Sequence, residues 1–165
     1  PMAVHRREGF EKAMMAAGEE PNVFPRLNGP FTVAFGAQAM TTFLALKDRP
    51  TAIFASNDEI AVGAIQAIKH AGLKVGHDIS VIGFDDIPNA DLVGPALTTV
   101  AQDTLGIGQA ALDAVLDELD SGSRREEILV APRLVVRRSC AAPGGAPDFL
   151  PEGSPAASRG VRRTP

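Results

Sequence analysis

In the run Ile79-Ser80-Val81-Ile82-Gly83-Phe84-Asp85-Asp86, residues 80–84 are almost continuously apolar and the run stops on two carboxylates. A short apolar run bounded by turn residues reads as a parallel strand buried on both faces. Thr51-Ala52-Ile53-Phe54-Ala55 repeats the pattern and stops on Ser56-Asn57-Asp58. Between the two, Asp58 is placed to cap a helix in which Ala61, Ala64, Ile65 and Ile68 share one face, with Gly72 at its end. Strand, helix and strand at these lengths imply right-handed crossovers and an α/β fold with a doubly wound parallel sheet. Ligands of such sheets sit outside the carboxyl ends of the strands, which singles out Ser56-Asn57-Asp58 and Asp85-Asp86.

The flanking chain extends this pattern in both directions. Phe10, Ala13, Met14 and Ala17 mark a helix over His5 to Ala17, closed by Gly18. Val23-Phe24-Pro25-Arg26-Leu27 is weakly strand-like, and Pro25 confines it to an edge or an irregular position. Phe35, Ala39, Phe43 and Leu46 mark a second helix, stopped by Asp48-Arg49-Pro50 because the residue before proline avoids helical geometry. Leu97 to Val100 is a short extended piece, and Leu112, Val115, Leu116 and Leu119 form another helical stripe. Ile128 to Ala131 and Leu134 to Val136 read as two short strands. In the tail, residues 141–165, nine positions are Pro or Gly and only Phe149, Leu150 and Val161 are large and apolar. Such a tail is expected to be disordered, because it cannot offset its ordering entropy. Its three arginines, Arg159, Arg162 and Arg163, are read as solvated.

A length of 165 residues suits one compact domain. With 16 basic and 20 acidic side chains the formal net charge is -4, so the bulk charge recruits no nucleic acid. Cys140 is the single cysteine and cannot form an internal disulfide. No run approaches the ~20 apolar residues of a membrane span, and no signal peptide is visible, so no membrane association and a cytoplasmic location are expected. The chain opens Pro1-Met2, so it reads as an excerpt whose upstream segment is unseen.

Four polar side chains share the expected rim. Asp58 as a helix cap and Asp86 as an acceptor for loop amides need no ligand. Asn57 offers donors and an acceptor, and Asp85 a two-oxygen fork that matches two vicinal hydroxyls. A catalytic reading needs a nucleophile with a base or paired carboxylates, and the histidines supply neither. His5 stands at a helix start, His70 on a polar helix side and His77 in a turn. Gly106-Ile107-Gly108 lacks the last glycine of a dinucleotide fingerprint, and Asp85 to Asp91 lacks the spacing of a calcium loop. No catalytic residue, metal site or cofactor is expected, and the chain is read as no enzyme.

A family resemblance sharpens this reading. Arg6-Arg7-Glu8-Gly9-Phe10 with Ala13, the loop Gly29 to Gly36 that leads into the next helix, Pro50 to Asp58, Ala61-Val62-Gly63-Ala64, Ile79 to Asp86, Pro95 to Val100 and Leu134 to Ser139 follow one another as in the LacI/GalR bacterial transcription regulators. Gly76-His77-Asp78 departs slightly, standing where proline is common before the aspartate. The resemblance implies the C-terminal lobe of a type I periplasmic-binding-protein-like fold over 1–140. It also implies that helix 104–120 packs in a second, N-terminal lobe, and that the first strand of the present lobe, the second lobe and the helix-turn-helix lie outside this chain. An exposed sheet edge and a tendency to associate follow as expectations for the chain by itself. Carried over by motif, Arg6, Phe31, Asn57 and Asp85 are the ligand-binding residues. Arg6 would fork onto ligand hydroxyls or a carboxylate, and Phe31 would stack on a sugar or base. The implied function is sensing of a small polar effector, a sugar or nucleoside-like molecule. DNA would be bound only through the absent helix-turn-helix, by a full-length homodimer. The alternatives are an extracytoplasmic sugar-binding protein of the same fold and an α/β enzyme using Asp85 as acid or base.

Overall fold

The structure is a computed structural model that describes residues 2–88, 94–122 and 127–142. Asn89 to Asp91 and the tail from Pro143 onward lie outside the described residues. The helices are α1 (Met2–Ala16), α2 (Val33–Leu44), α3 (Asp58–His70) and α4 (Thr104–Ser121). The strands are β1 (Ala52–Phe54), β2 (Ser80–Asp85), β3 (Thr98–Ala101) and β4 (Arg133–Val135). They form one sheet in the order β1-β2-β3-β4, with the first three parallel and β4 antiparallel to β3. The α/β architecture with a parallel sheet is the one the apolar runs imply, with one antiparallel strand added at its edge.

Alternation along β2 sends Val81 and Gly83 into the core. There they meet Ala61, Ala64, Ile65 and Ile68 of α3, with Met40, Ile79 and Leu97 closing the cluster. The tightest contact in the fold joins α2 to α3 through two glycines. A β-carbon on Gly36 would lie 2.1 Å from the Ile60 carbonyl oxygen, and one on Gly63 would lie 2.0 Å from that of Val33. The two backbones therefore touch where most helix pairs interpose side chains.

Four expectations are corrected. Thr51 to Ala55 is not a strand buried on both faces: β1 lies at the sheet edge, with Ala52 exposed and Ile53 and Phe54 half-buried. Val23 to Leu27 forms no strand; a 3₁₀ turn at Pro21–Val23 leads into irregular chain. Beside β1, a cavity of about 570 Å³ runs between α1, residues 24–31 and α2, lined by Phe10, Met14, Phe24, Phe35, Phe43 and Phe54. Phe10 stacks on Phe54 across it, with ring centroids 5.5 Å apart. With this space between them, residues 24–27 have no ladder with β1, which among the described residues pairs only with β2 on its other side and so stays at the sheet edge. Ile128 to Ala131 is likewise irregular, and only Arg133–Val135 pairs with β3. Finally, the cap of α3 is Asn57, whose Oδ1 accepts from the Ile60 N–H, and not Asp58.

Helix α4 is capped by Asp103, which accepts from the Gly106 N–H, and closes on Gly122. None of its residues is buried, and Leu105, Leu112, Val115, Leu116 and Leu119 are all exposed.

The α2–α3 contact gives a test. Helix propensity alone would make Gly63→Ala more stable by ~1 kcal/mol. The clash with the Val33 carbonyl reverses the sign, because forced overpacking costs ~1–3 kcal/mol or more. Urea denaturation of Gly63→Ala is expected to show net destabilisation, whereas Gly9→Ala, with open space around it, gains stability.

Candidate functional site

Each parallel strand delivers a polar residue to the same end of the sheet: Ser56 and Asn57 after β1, Asp85 at the end of β2, and Gln102 after β3. Arg6 of α1 ties them together. Its Nη1 donates to the Ser56 carbonyl and its Nη2 to Asp85 Oδ1 at 2.8 Å, while its guanidinium carbon lies 3.9 Å from the centroid of the Phe84 ring. The side chain is only 8% exposed, so this guanidinium is held in place on three sides. Gln102 Nε2 donates to the same oxygen, Asp85 Oδ1, at 2.7 Å.

This geometry modifies the expected fork. Oδ1 of Asp85 already accepts two hydrogen bonds, and Oδ2 takes part in neither of them. On Arg6, two of five N–H groups are committed to protein oxygens, which leaves donors beside that free acceptor. Asn57 is buried and spends its oxygen on the α3 cap, so its NH₂ group is what it can offer a ligand. Phe31 is not a partner of Arg6 or Asp85; it is exposed on the wall of the apolar cavity, whose lining also includes Ser56, the residue whose carbonyl Arg6 bonds. The cavity itself is not the polar site, since Arg6, Asn57 and Asp85 are not among the residues lining it.

The two other rim carboxylates have internal partners. Asp58 is fully buried, accepting from Thr99 Oγ1 at 2.6 Å on Oδ1 and from the Ile87 N–H at 2.9 Å on Oδ2. Asp86 Oδ1 accepts from Arg137 Nη2 at 2.8 Å, a side-chain partner and not the loop amides expected for it. Asp85 and Asp86 have φ values of 117° and 56°, a region that non-glycine residues enter at a cost of ~1–3 kcal/mol each. The histidines take no part in the cluster. His77 pairs with Asp78 in the turn before β2, where the Lys74 N–H first and then that contact hold the Asp78 carboxyl below its ordinary pKa.

The structure brings Arg6 and Asp85 together beside Asn57, and adds to them Phe84 and Gln102, neither of which the sequence reading names as a site residue. The signal for Gln102 was available, since it follows β3 as Asp85 ends β2. Leu97 to Val100 as a short extended piece carries no sign of which sheet it joins, and only its pairing with β2 places Gln102 at the rim.

An open parallel sheet whose carboxyl rim gathers a held arginine, a carboxylate and two amides defines one lobe of a small-ligand-binding α/β domain. Residues 1–140 match the family model described as a periplasmic binding protein-like domain, and the chain belongs to that family as the effector-binding region of a LacI/GalR-type regulator. A similar curated relative is the HTH-type transcriptional repressor PurR of Erwinia tasmaniensis, 44% identical over 139 residues that cover 82% of this chain and 40% of the relative. Among solved structures, the Lac repressor bound to ONPG in the repressed state aligns with a TM-score of 0.77 and 32% identity, over 84% of this chain and 42% of that one. A LacI family transcriptional regulator from Enterococcus faecium with bound ribose aligns with a TM-score of 0.76 and 29% identity, over 84% and 51%. The chain thus spans about two fifths of the length of the PurR relatives it matches.

The capping role of Asn57 can be tested by substitution. Asn57→Ala removes the α3 cap and is expected to cost ~1 kcal/mol in chemical denaturation. Asn57→Ser keeps a capping oxygen while removing the amide NH₂, and is expected to stay close to wild-type stability.

Proposed function

We propose that the effector sensed by this domain is a small, neutral, polar molecule, a sugar or nucleoside-like compound, gripped by Arg6, Asn57 and Asp85 with Phe31 against its apolar face. The observation that carries this reading is the pairing of Arg6 with Asp85. Their charges cancel, so the rim attracts no strongly charged ligand. What it offers is a free carboxylate oxygen beside unused guanidinium N–H groups, an acceptor next to donors. A hydroxyl answers both at once, by donating to Oδ2 and accepting from Arg6. The adjacent N–H and C=O of a purine edge does the same with two atoms. The relatives favour the regulator over an extracytoplasmic binding protein or an enzyme, since they are HTH-type transcriptional repressors. The full-length protein is accordingly read as a cytoplasmic homodimer that meets DNA through a segment outside this chain. No helix among the described residues is long and apolar enough to cross a membrane.

Calorimetry on the full-length protein with ribose, guanosine and guanine tests the reading. Asp85→Ala is expected to weaken binding by ~2–3 kcal/mol, the scale of hydrogen bonds to a charged group. Arg6→Lys weakens it too, because an ammonium cannot bridge Ser56 and Asp85 in the guanidinium plane. Unchanged affinity in a folded Asp85→Ala protein would overturn the assignment.

In the same reading, α4 packs on a second lobe in the intact protein, which accounts for its bare stripe. Each buried aliphatic side chain contributes ~1.5–3 kcal/mol, so Leu112, Val115, Leu116 and Leu119 standing together make an adhesive face. Size-exclusion chromatography with light scattering on the 165-residue chain is expected to show self-association. A monodisperse monomer with a cooperative melt would overturn this placement of α4.

A further inference from the structure

The segment Leu134 to Ser139 has no part in the ligand reading, yet one of its residues reaches the rim. Arg137, two residues beyond β4, donates through its backbone N–H to Thr98 Oγ1 at 2.9 Å and through Nη1 to the Leu97 carbonyl at 2.9 Å. Its Nη2 donates to Asp86 Oδ1 at 2.8 Å, with the two side chains 23% and 20% exposed. The guanidinium is therefore fastened to the start of β3 while it holds a carboxylate. Its planar fork keeps those two partners in a fixed relation, as a lysine would not.

Asp86 needs such a holder. It and Asp85 are consecutive non-glycine residues at positive φ, an arrangement that persists only where the surroundings over-determine it. Asp58 fixes the next residue by accepting from the Ile87 N–H, but it bonds to neither strained residue. Arg137 holds Asp86 directly, while Arg6 and Gln102 hold Asp85.

We propose that Arg137 is a positioning residue for the effector site: by pinning Asp86 to the start of β3 it maintains the left-handed backbone at Asp85–Asp86, and thereby aims Asp85 Oδ2 at the ligand. The inference rests on the reading of Asp85 as a ligand contact. Arg137 acts through Asp85 and does not touch the effector. Without the ion pair the two residues relax toward negative φ and the carboxylate leaves the arrangement in which Arg6 and Gln102 share Oδ1.

The test is a double-mutant cycle in the full-length protein, with ribose and guanosine as probes in calorimetry. Arg137→Met is expected to weaken binding roughly tenfold, and to cause no further loss in the Asp85→Ala background, where the contact it serves is gone. A purely stabilising role would instead lower the melting temperature and leave the affinity of the folded protein unchanged. Asp86→Asn removes the same ion pair at constant volume, and is expected to match Arg137→Met; it carries the test if Arg137→Met does not fold. In the unliganded protein, the Cα and Cβ chemical shifts of Asp85 and Asp86 move toward negative-φ values in both variants. Wild-type affinity in Arg137→Met, or an equal loss with and without Asp85, overturns the inference and leaves the effector reading standing. If Asp85→Ala binds a probe as tightly as wild type, or neither probe binds, the effector reading is what fails. The chemical shifts then decide whether Arg137 holds the turn: displaced shifts sustain that hold and unchanged shifts overturn it.

Discussion

A carboxylate cut off from water must find its hydrogen bonds inside the protein, and Asp58 finds them on two segments distant from it in sequence. Thr99 on β3 serves one oxygen and the Ile87 N–H, beyond β2, serves the other. Gly83 lies directly beneath, where a β-carbon would come within 2.1 Å of Oδ1. Leaving such a group unsatisfied costs several kcal/mol, so only arrangements that keep both bonds are tolerated. The start of α3, the end of β2 and the middle of β3 are thereby locked to one another. The cap at Asn57, the reversal at Asp85–Asp86 and the rim that carries both inherit their geometry from this buried point.

The rim is organised before any ligand arrives. Arg6 is positioned by a carbonyl, a carboxylate and an aromatic face. A long side chain already restrained in this way has little rotamer freedom left to lose on binding, which removes one of the ordinary costs of association. The same restraint neutralises the site, because each rim arginine has its own aspartate: Arg6 with Asp85 and Arg137 with Asp86. In the proposed reading of this rim, selection among ligands then rests on hydrogen-bond pattern and shape in preference to charge.

Much of this was legible in the chain itself, for reasons that can be traced. The two apolar runs and the helix between them are short-range signals, and their order imposed the parallel sheet and the end at which its rim residues gather. Residues whose state depends on distant partners were read less well. Asn57 and Asp58 are adjacent and both able to cap, and only Thr99 and Ile87 show why the aspartate goes inward and the asparagine takes the cap. Val23 to Leu27 and Ile128 to Ala131 have strand-like composition, but a strand exists only where a neighbouring backbone supplies a ladder. Gln102, Phe84 and Arg137 carry no local signal of function, since each acquires its role from a partner at least 17 residues away or from a guanidinium arriving from α1.

The glycine contact between α2 and α3 bears on how this lobe can move. Packed helices slide past one another by hopping their side chains between rotamers, a shear of an ångström or two spread over the interface. Gly36 and Gly63 leave no side-chain layer at their crossing, so there is nothing to hop. Locked at that crossing, α2 and α3 are expected to move as one body, so that bending falls on the connections around the pair and not on the packed interface between them.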